Sequence, residues 1–349
     1  MDSIAYQQFS TIVPFLFILF LGFLCGKSKL IESGASKTVC VVTMNLLTPF
    51  MIIDYLQIDK TSQNSSDLIW AILASAVIFA LYYIVAFLFY LRKKNEISNI
   101  YACSLCSSAV SILSFPLLSN IIGINASVYS AVFILVNQLL FNILTGKVLY
   151  KNRNLIKCII NFPFIIGILA VALYFLNVDL ILPIANTVSC VSDMVPALSA
   201  LLIGMYFSSF PVSGLKFQFN ILVVSAFKLL LFPILTFGIC LIFHFSLETT
   251  LMYVILSGLP CGINLPCITS CAQNKNTSYA ANITACTFVF SVATIPMMCY
   301  IAREIYSMLN YWIKMESQKS RFMIFMERDF FVMHQRLLKI RQKLHPELL

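Results

Sequence analysis

Apolar runs long enough to cross a bilayer follow one another along this chain, separated by short polar breaks. A spanning helix needs about 20 mainly apolar residues. Ten stretches qualify: 9–26, 37–56, 68–91, 97–122, 127–149, 159–177, 184–207, 218–245, 251–271 and 278–301. Inside a bilayer every backbone polar group must be satisfied within the protein, so runs of this length are expected to be helices. The composition agrees, with 60% hydrophobic and 11% charged residues, whereas a soluble domain carries roughly 25% charged residues. The expectation is an all-α, multi-pass integral membrane protein of a plasma, inner or endomembrane.

The net charge of +9 does not point to nucleic acid, because the basic residues sit between apolar runs and in the tail. Lys27, Lys29 and Lys37 lie in the first loop, and Arg92, Lys93 and Lys94 in the third. Lys147, Lys151, Arg153 and Lys157 lie in the fifth, Lys216 in the seventh and Lys275 in the ninth; the even loops carry Lys60 alone. The positive-inside rule puts the odd loops in the cytoplasm and the N-terminus outside. The tail, 302–349, is also basic and reads as an amphipathic helix, with Phe322, Phe325, Met326 and Phe330 at helical spacing. Its charge conflicts with the outside placement that ten spans imply. Residues 1–10 hold no Lys or Arg, so the first run reads as a retained span rather than a signal peptide. The cysteines are scattered singly through apolar runs, which is not a disulfide framework. Cys103 and Cys106 form a CxxC inside an expected helix and read as packing residues.

Prolines divide the chain into two halves. Pro14 pairs with Pro163, Pro49 with Pro196, and Pro116 with Pro260 or Pro266, all at an offset of about 150 residues, or five spans. Five is odd, so the second half enters the membrane upside down relative to the first. The expected domains are therefore a five-helix repeat over 1–150, its inverted copy over 151–301, and the tail over 302–349. Inverted repeats with interrupted helices at matching positions mark secondary transporters. The fourth run carries Ser107, Ser108, Ser111, Ser114 and Pro116; the ninth carries Gly258, Pro260, Gly262, Asn264 and Pro266. Unwinding there frees backbone amides near the midplane, and a half-helix N-terminus suits a carboxylate.

These motifs also carry a family resemblance. Asn45 to Pro49, Asn161 to Pro163, Pro196 to Gly204, Lys228 with Pro233, Pro260 to Asn264, and Ser291, Thr294 and Pro296 resemble, in order, the motifs of the auxin efflux carrier family. The resemblance covers about 9–301. It implies two inverted five-helix repeats with broken helices 4 and 9 crossing at a midplane site. It also implies alternating access, a small organic anion of the auxin or malate kind as substrate, and homodimers. One departure is that the fourth run has Ala109, Ser111 and Ser114 where relatives often carry an asparagine, so auxin itself does not follow.

Candidate substrate-binding residues are Asn264, Pro260, Pro266, Pro116, Ser114, Ser111, Asn45 and Lys228. Asn264 and Asn45 serve either a substrate or the freed backbone. Lys228, near mid-depth, either neutralises a carboxylate, pairs with an acid or snorkels to an interface. Asp54 and Asp193, near outer helix ends, are the acids nearest the repeat-related second and seventh spans. No carboxylate pair sits deep in the membrane, which points to uniport or weak coupling. No cofactor is expected. An enzyme would need convergent His, Asp or Glu, and the histidines, His244, His334 and His345, are not at mid-membrane. The alternative is a transporter-like sensor that binds a small ligand without moving it.

Overall fold

The computed structural model describes residues 3–28, 34–58, 62–92, 96–150, 160–208 and 219–344. Lys29, Lys60, Lys93, Lys94, Lys151, Arg153, Lys157 and Lys216 of the topology argument lie outside them. Contacts divide the chain into two units, Met1–Tyr300 and Ile301–Leu349. The second is helical through Leu344, and the side chains of Phe322, Phe325, Met326 and Phe330 are outside the described ones.

The described elements are all helical: α1 Ser3–Lys27, α2 Ala35–Val42, α3 Thr48–Tyr55, α4 Ser62–Arg92, α5 Glu96–Cys106, α6 Val110–Ile122 and α7 Ala126–Val148. They continue with α8 Phe162–Leu176, α9 Leu182–Ser208, α10 Phe219–Ala226, α11 Phe232–Ile242, α12 Leu247–Ser257, α13 Asn264–Cys271 and α14 Thr277–Leu344. Seven stretches are long and apolar enough to cross a membrane, one of them the 53-residue run Glu96–Val148 that holds α5, α6 and α7. α8 and α12 are shorter apolar helices. The chain is a multi-pass, all-helical membrane protein. Among the described residues the count is seven rather than ten because the fourth and fifth expected runs form one stretch, the sixth is the shorter helix α8, and the ninth is divided between α12 and α13.

Two of the interruptions are π-turns, Thr43–Leu47 between α2 and α3 and Phe227–Leu231 between α10 and α11. Each lies just ahead of a proline, Pro49 or Pro233. A proline ring collides with the carbonyl four residues back, and widening that turn removes the collision. Asn45 and Lys228 therefore both sit on π-turns. At the head of α8 the Asn161 side chain accepts from the Phe164 N–H at 3.0 Å, with Pro163 in the first turn.

Within the first unit α9 packs on α1, α3 and α2, and α8 packs on α3. α3 and α8 also pack on α7, and α1 and α9 on α6. α4, α5 and α7 contact one another, α6 packs on α7 and α12, and α11 joins α12 to α4. α1 lies along α9 through glycines on both helices. A Cβ at Gly22 would fall on the Leu201 carbonyl oxygen, and one at Gly204 on the Leu19 carbonyl oxygen. Small residues permit such backbone contact, which is how helices associate where lipid offers no hydrophobic drive.

Candidate functional site

Two helices are broken at their middles, and the breaks touch. α5 ends at Cys106 and α6 begins at Val110; α12 ends at Ser257 and α13 begins at Asn264. The second break follows from Gly258, Pro260 and Gly262, which cannot sustain a helix. The first holds no proline, because Pro116 is inside α6. It opens at Ser107–Ala109, where its backbone bonds to the other break. The Ala109 N–H donates to the Pro260 carbonyl at 2.8 Å. The Gly262 N–H donates to the Ser107 hydroxyl oxygen at 3.1 Å, and that hydroxyl lies 3.3 Å from the Gly262 carbonyl. The Cys261 N–H donates to Thr287 Oγ1 at 3.1 Å. Unwound backbone inside a membrane is tolerated only with such partners.

The last four carbonyls of a helix have no partner within it. At the buried C-terminal end of α5 each of them finds one. The Cys103 carbonyl accepts from the Ser107 N–H at 2.9 Å, and the Ser104 carbonyl from the Cys261 thiol at 3.2 Å. The Leu105 carbonyl accepts from Lys228 Nζ at 3.0 Å, and the Cys106 carbonyl from Asn137 Nδ2 at 3.0 Å. Lys228 is 0% exposed. Its ammonium sits 4.0 Å from the centroid of the Tyr82 ring and 6.0 Å from that of Phe232. It does not snorkel. The Tyr82 hydroxyl in turn donates to the Ser257 carbonyl at 2.6 Å, capping the end of α12. One aromatic cluster, Phe79, Tyr82 and Phe232, thus lies behind both half-helix C-termini.

A polar cavity of about 250 Å³ lies between α2, α7 and α13. Its walls come from α2 and its π-turn (Val41, Met44, Asn45), α7 (Gln138, Asn142, Thr145, Gly146), Tyr150, Asn161 and α13 (Cys267, Ile268, Cys271). Among the described residues the lining offers carboxamides, hydroxyls and thiols and no charged side chain. Asn45 Nδ2 donates to the Val41 carbonyl at 3.0 Å, and the residue is exposed toward the cavity. Asn264, 8% exposed, begins α13 and donates to Gln138 Oε1 at 3.4 Å. A bond that long is near the limit of a hydrogen bond and is readily exchanged for a ligand.

The expected site residues are not brought together in one place. Asn45 lines the cavity and Asn264 reaches it through Gln138. Pro260 is in the crossing itself. Lys228 is behind the crossing, on the α5 end. Pro266 is buried in α13, and Pro116, Ser111 and Ser114 are in α6. The Ser114 and Ser108 hydroxyls are buried without a partner among the described residues. Gln138, Asn142 and Asn137 were not expected, although three carboxamides within one apolar span are a readable signal. Among the described residues no group of three His, Cys, Asp or Glu could hold a metal ion.

Comparison with known proteins agrees with this architecture. The model of one family, described as a membrane transport protein, matches residues 8–157. This segment contains the first break, the α5 caps donated by Asn137 and Ser107, and the α2 and α7 walls of the cavity. No curated protein matches the chain.

Proposed function

We propose that this protein is a secondary transporter that moves a small organic anion across its membrane by alternating access. The observation that carries the proposal is the polar cavity walled by α2, α7 and α13, beside two broken helices that bond to each other. In this reading the chain has ten spans arranged as two inverted five-helix repeats. The group of α1, α2, α3, α8 and α9 is the scaffold, and the remaining spans rock against it. A closed packed helix bundle has no reason to keep backbone unwound at its centre; a transport site does. Asn45, Gln138 and Asn142 hydrogen-bond the substrate, and Asn264 acts on it through Gln138. The cavity borders the loop that follows Lys147, which the positive-inside rule assigns to the cytoplasm. This conformation is then the inward-facing one. Asp54 is half-buried and Asp193 is exposed, so neither is the deep acid that ion coupling uses. The substrate gradient alone drives transport.

The test is uptake into liposomes by the full-length purified chain, with labelled phenylacetate, succinate, malate and pyruvate. Saturable uptake of at least one acid without a pH or Na⁺ gradient is expected, and Gln138→Ala should lower it at least about tenfold. Absence of uptake for every acid, with folded protein in the vesicles, overturns the anion assignment. Strict dependence on an imposed ion gradient overturns the uniport.

A further inference from the structure

We propose that a second cavity, between α4, α11 and α12, is a binding site for a small neutral phenol or aromatic alcohol taken from the membrane.

This cavity measures about 170 Å³ and shares no residue with the polar one. Its wall holds Trp70 and Ala74 of α4, Thr236 of α11 and Tyr253 of α12. Phe243 and Phe245, in the turn between α11 and α12, complete it. That turn and the loop ahead of α4 are even-numbered connections, which the positive-inside rule places outside. The cavity therefore lies in the outer half of the membrane. Trp70 and Phe243 are 52% and 68% exposed, so the wall that they form gives onto lipid.

Aromatic side chains gather at membrane interfaces, and a belt role would account for Trp70 and Phe243. It accounts for neither the void nor the state of Thr236. A threonine within a helix ordinarily bonds its hydroxyl to a carbonyl three or four residues back. Thr43, Thr145, Thr269 and Thr284 do so at 2.8, 2.8, 2.9 and 3.0 Å. Thr236 is 3% exposed and lines the cavity, yet its hydroxyl has no hydrogen-bond partner among the described residues. An unpaired buried hydroxyl is unfavourable, and a ligand that pairs with it removes the penalty.

The wall also sets the class of ligand. A dry apolar cavity of about 150 Å³ takes one benzene, so this one holds a single six-membered ring with a small substituent. Phe245 meets Trp70 and Tyr253 edge-on, with centroids 6.3 and 5.8 Å apart, an arrangement that a further ring extends. Among the described residues no lining side chain is charged, so a charged molecule would be buried there without a partner. Thr236 selects a ring that bears a hydroxyl. A lipid acyl chain would fill the void and leave Thr236 unpaired.

The chain has two tryptophans, Trp70 and Trp312. In a Trp312→Phe background the emission is that of Trp70, in the cavity wall. That protein, full-length in lipid nanodiscs, is titrated with 4-bromophenol and with 4-bromotoluene, which lacks the hydroxyl; bromine quenches a neighbouring indole. Ala74→Phe fills the cavity, and Thr236→Val keeps the side-chain shape without the hydroxyl. The expected result is saturable quenching by 4-bromophenol that Ala74→Phe abolishes. Thr236→Val should weaken it about tenfold, to the level of 4-bromotoluene. Quenching that rises in proportion to the phenol dissolved in the lipid overturns the site, as does saturable quenching that survives Ala74→Phe. Equal saturable quenching by both probes, unchanged in Thr236→Val, overturns the hydroxyl-bearing ligand. If Ala74→Phe yields no folded protein, Thr236→Val decides: a tenfold loss for the phenol alone supports the site, and no loss overturns it. Acid uptake plays no part in this readout, so the site stands or falls apart from the transport reading.

Discussion

Replacing Gly262 by alanine tests whether contact between the two breaks holds the crossing together. A Cβ at Gly262 would sit 2.6 Å from the Ser108 carbonyl oxygen, 3.0 Å from its carbon and 3.3 Å from the Ala109 nitrogen. All three are backbone atoms, so no side chain can swing away, and the breaks must separate. Separation stretches the bonds from Ala109 to Pro260 and from Gly262 to Ser107, 2.8 and 3.1 Å as they stand. Each is worth about 1 kcal/mol net, and more when a buried group is left unpaired. Overpacking adds about 1–3 kcal/mol. The sum is about 3–5 kcal/mol, which in a chain of this size lowers Tm by roughly 5 °C. The assay is thermal unfolding of the lipid-embedded protein together with acid uptake, and uptake should fall at least about tenfold. Gly238→Ala is the control, because a Cβ there meets nothing within 4 Å; it should be neutral or gain up to about 1 kcal/mol. Wild-type Tm and uptake in Gly262→Ala would refute the argument that the close approach is required.

Further outcomes follow from the same geometry. Gly204→Ala drives a methyl into the Leu19 carbonyl and should cost about 1–3 kcal/mol by overpacking, read as lowered Tm; an unchanged Tm would mean α1 and α9 are not in backbone contact. Asn137→Ala leaves the Cys106 carbonyl unpaired at about 1–3 kcal/mol, measured by thermal unfolding. Asn142→Ala, at the cavity wall, should raise KM for uptake and leave Tm unchanged, the reverse of Asn137→Ala. The Cys267 thiol of α13 lies near Cys40 of α2, where the two helices pack together beside the cavity. A chain retaining only these two cysteines, treated with a copper–phenanthroline oxidant, should form a disulfide that stops uptake until reductant is added. Uptake that continues in the cross-linked chain would rule out relative movement of α2 and α13.

Much of the architecture was legible because it is local. Twenty apolar residues in a row have one solution in a bilayer. A proline forces its own turn to open, which is why Pro49 and Pro260 could be read in advance as sites of disorder in the helix ladder. The first break was harder. Ser107–Ala109 contains neither proline nor glycine, and it opens because its amide and hydroxyl find better partners on another helix. Pro116 drew attention to the right span and to the wrong turn of it. Lys228 shows the same limit: its depth in the span was visible, but the three fates open to it could not be ranked without knowing what stood opposite.

The sequence alone determined that this chain is helical, that it is a membrane protein, and that some of its helices are broken, since hydropathy and backbone sterics act over a few residues. The tertiary structure alone decided where the breaks meet, which amides share a cavity, and that Lys228 faces a helix end. Those contacts join residues 123, 126 and 155 positions apart. Nothing in either segment encodes its partner, because such pairings are settled by which packing satisfies every buried backbone group at once.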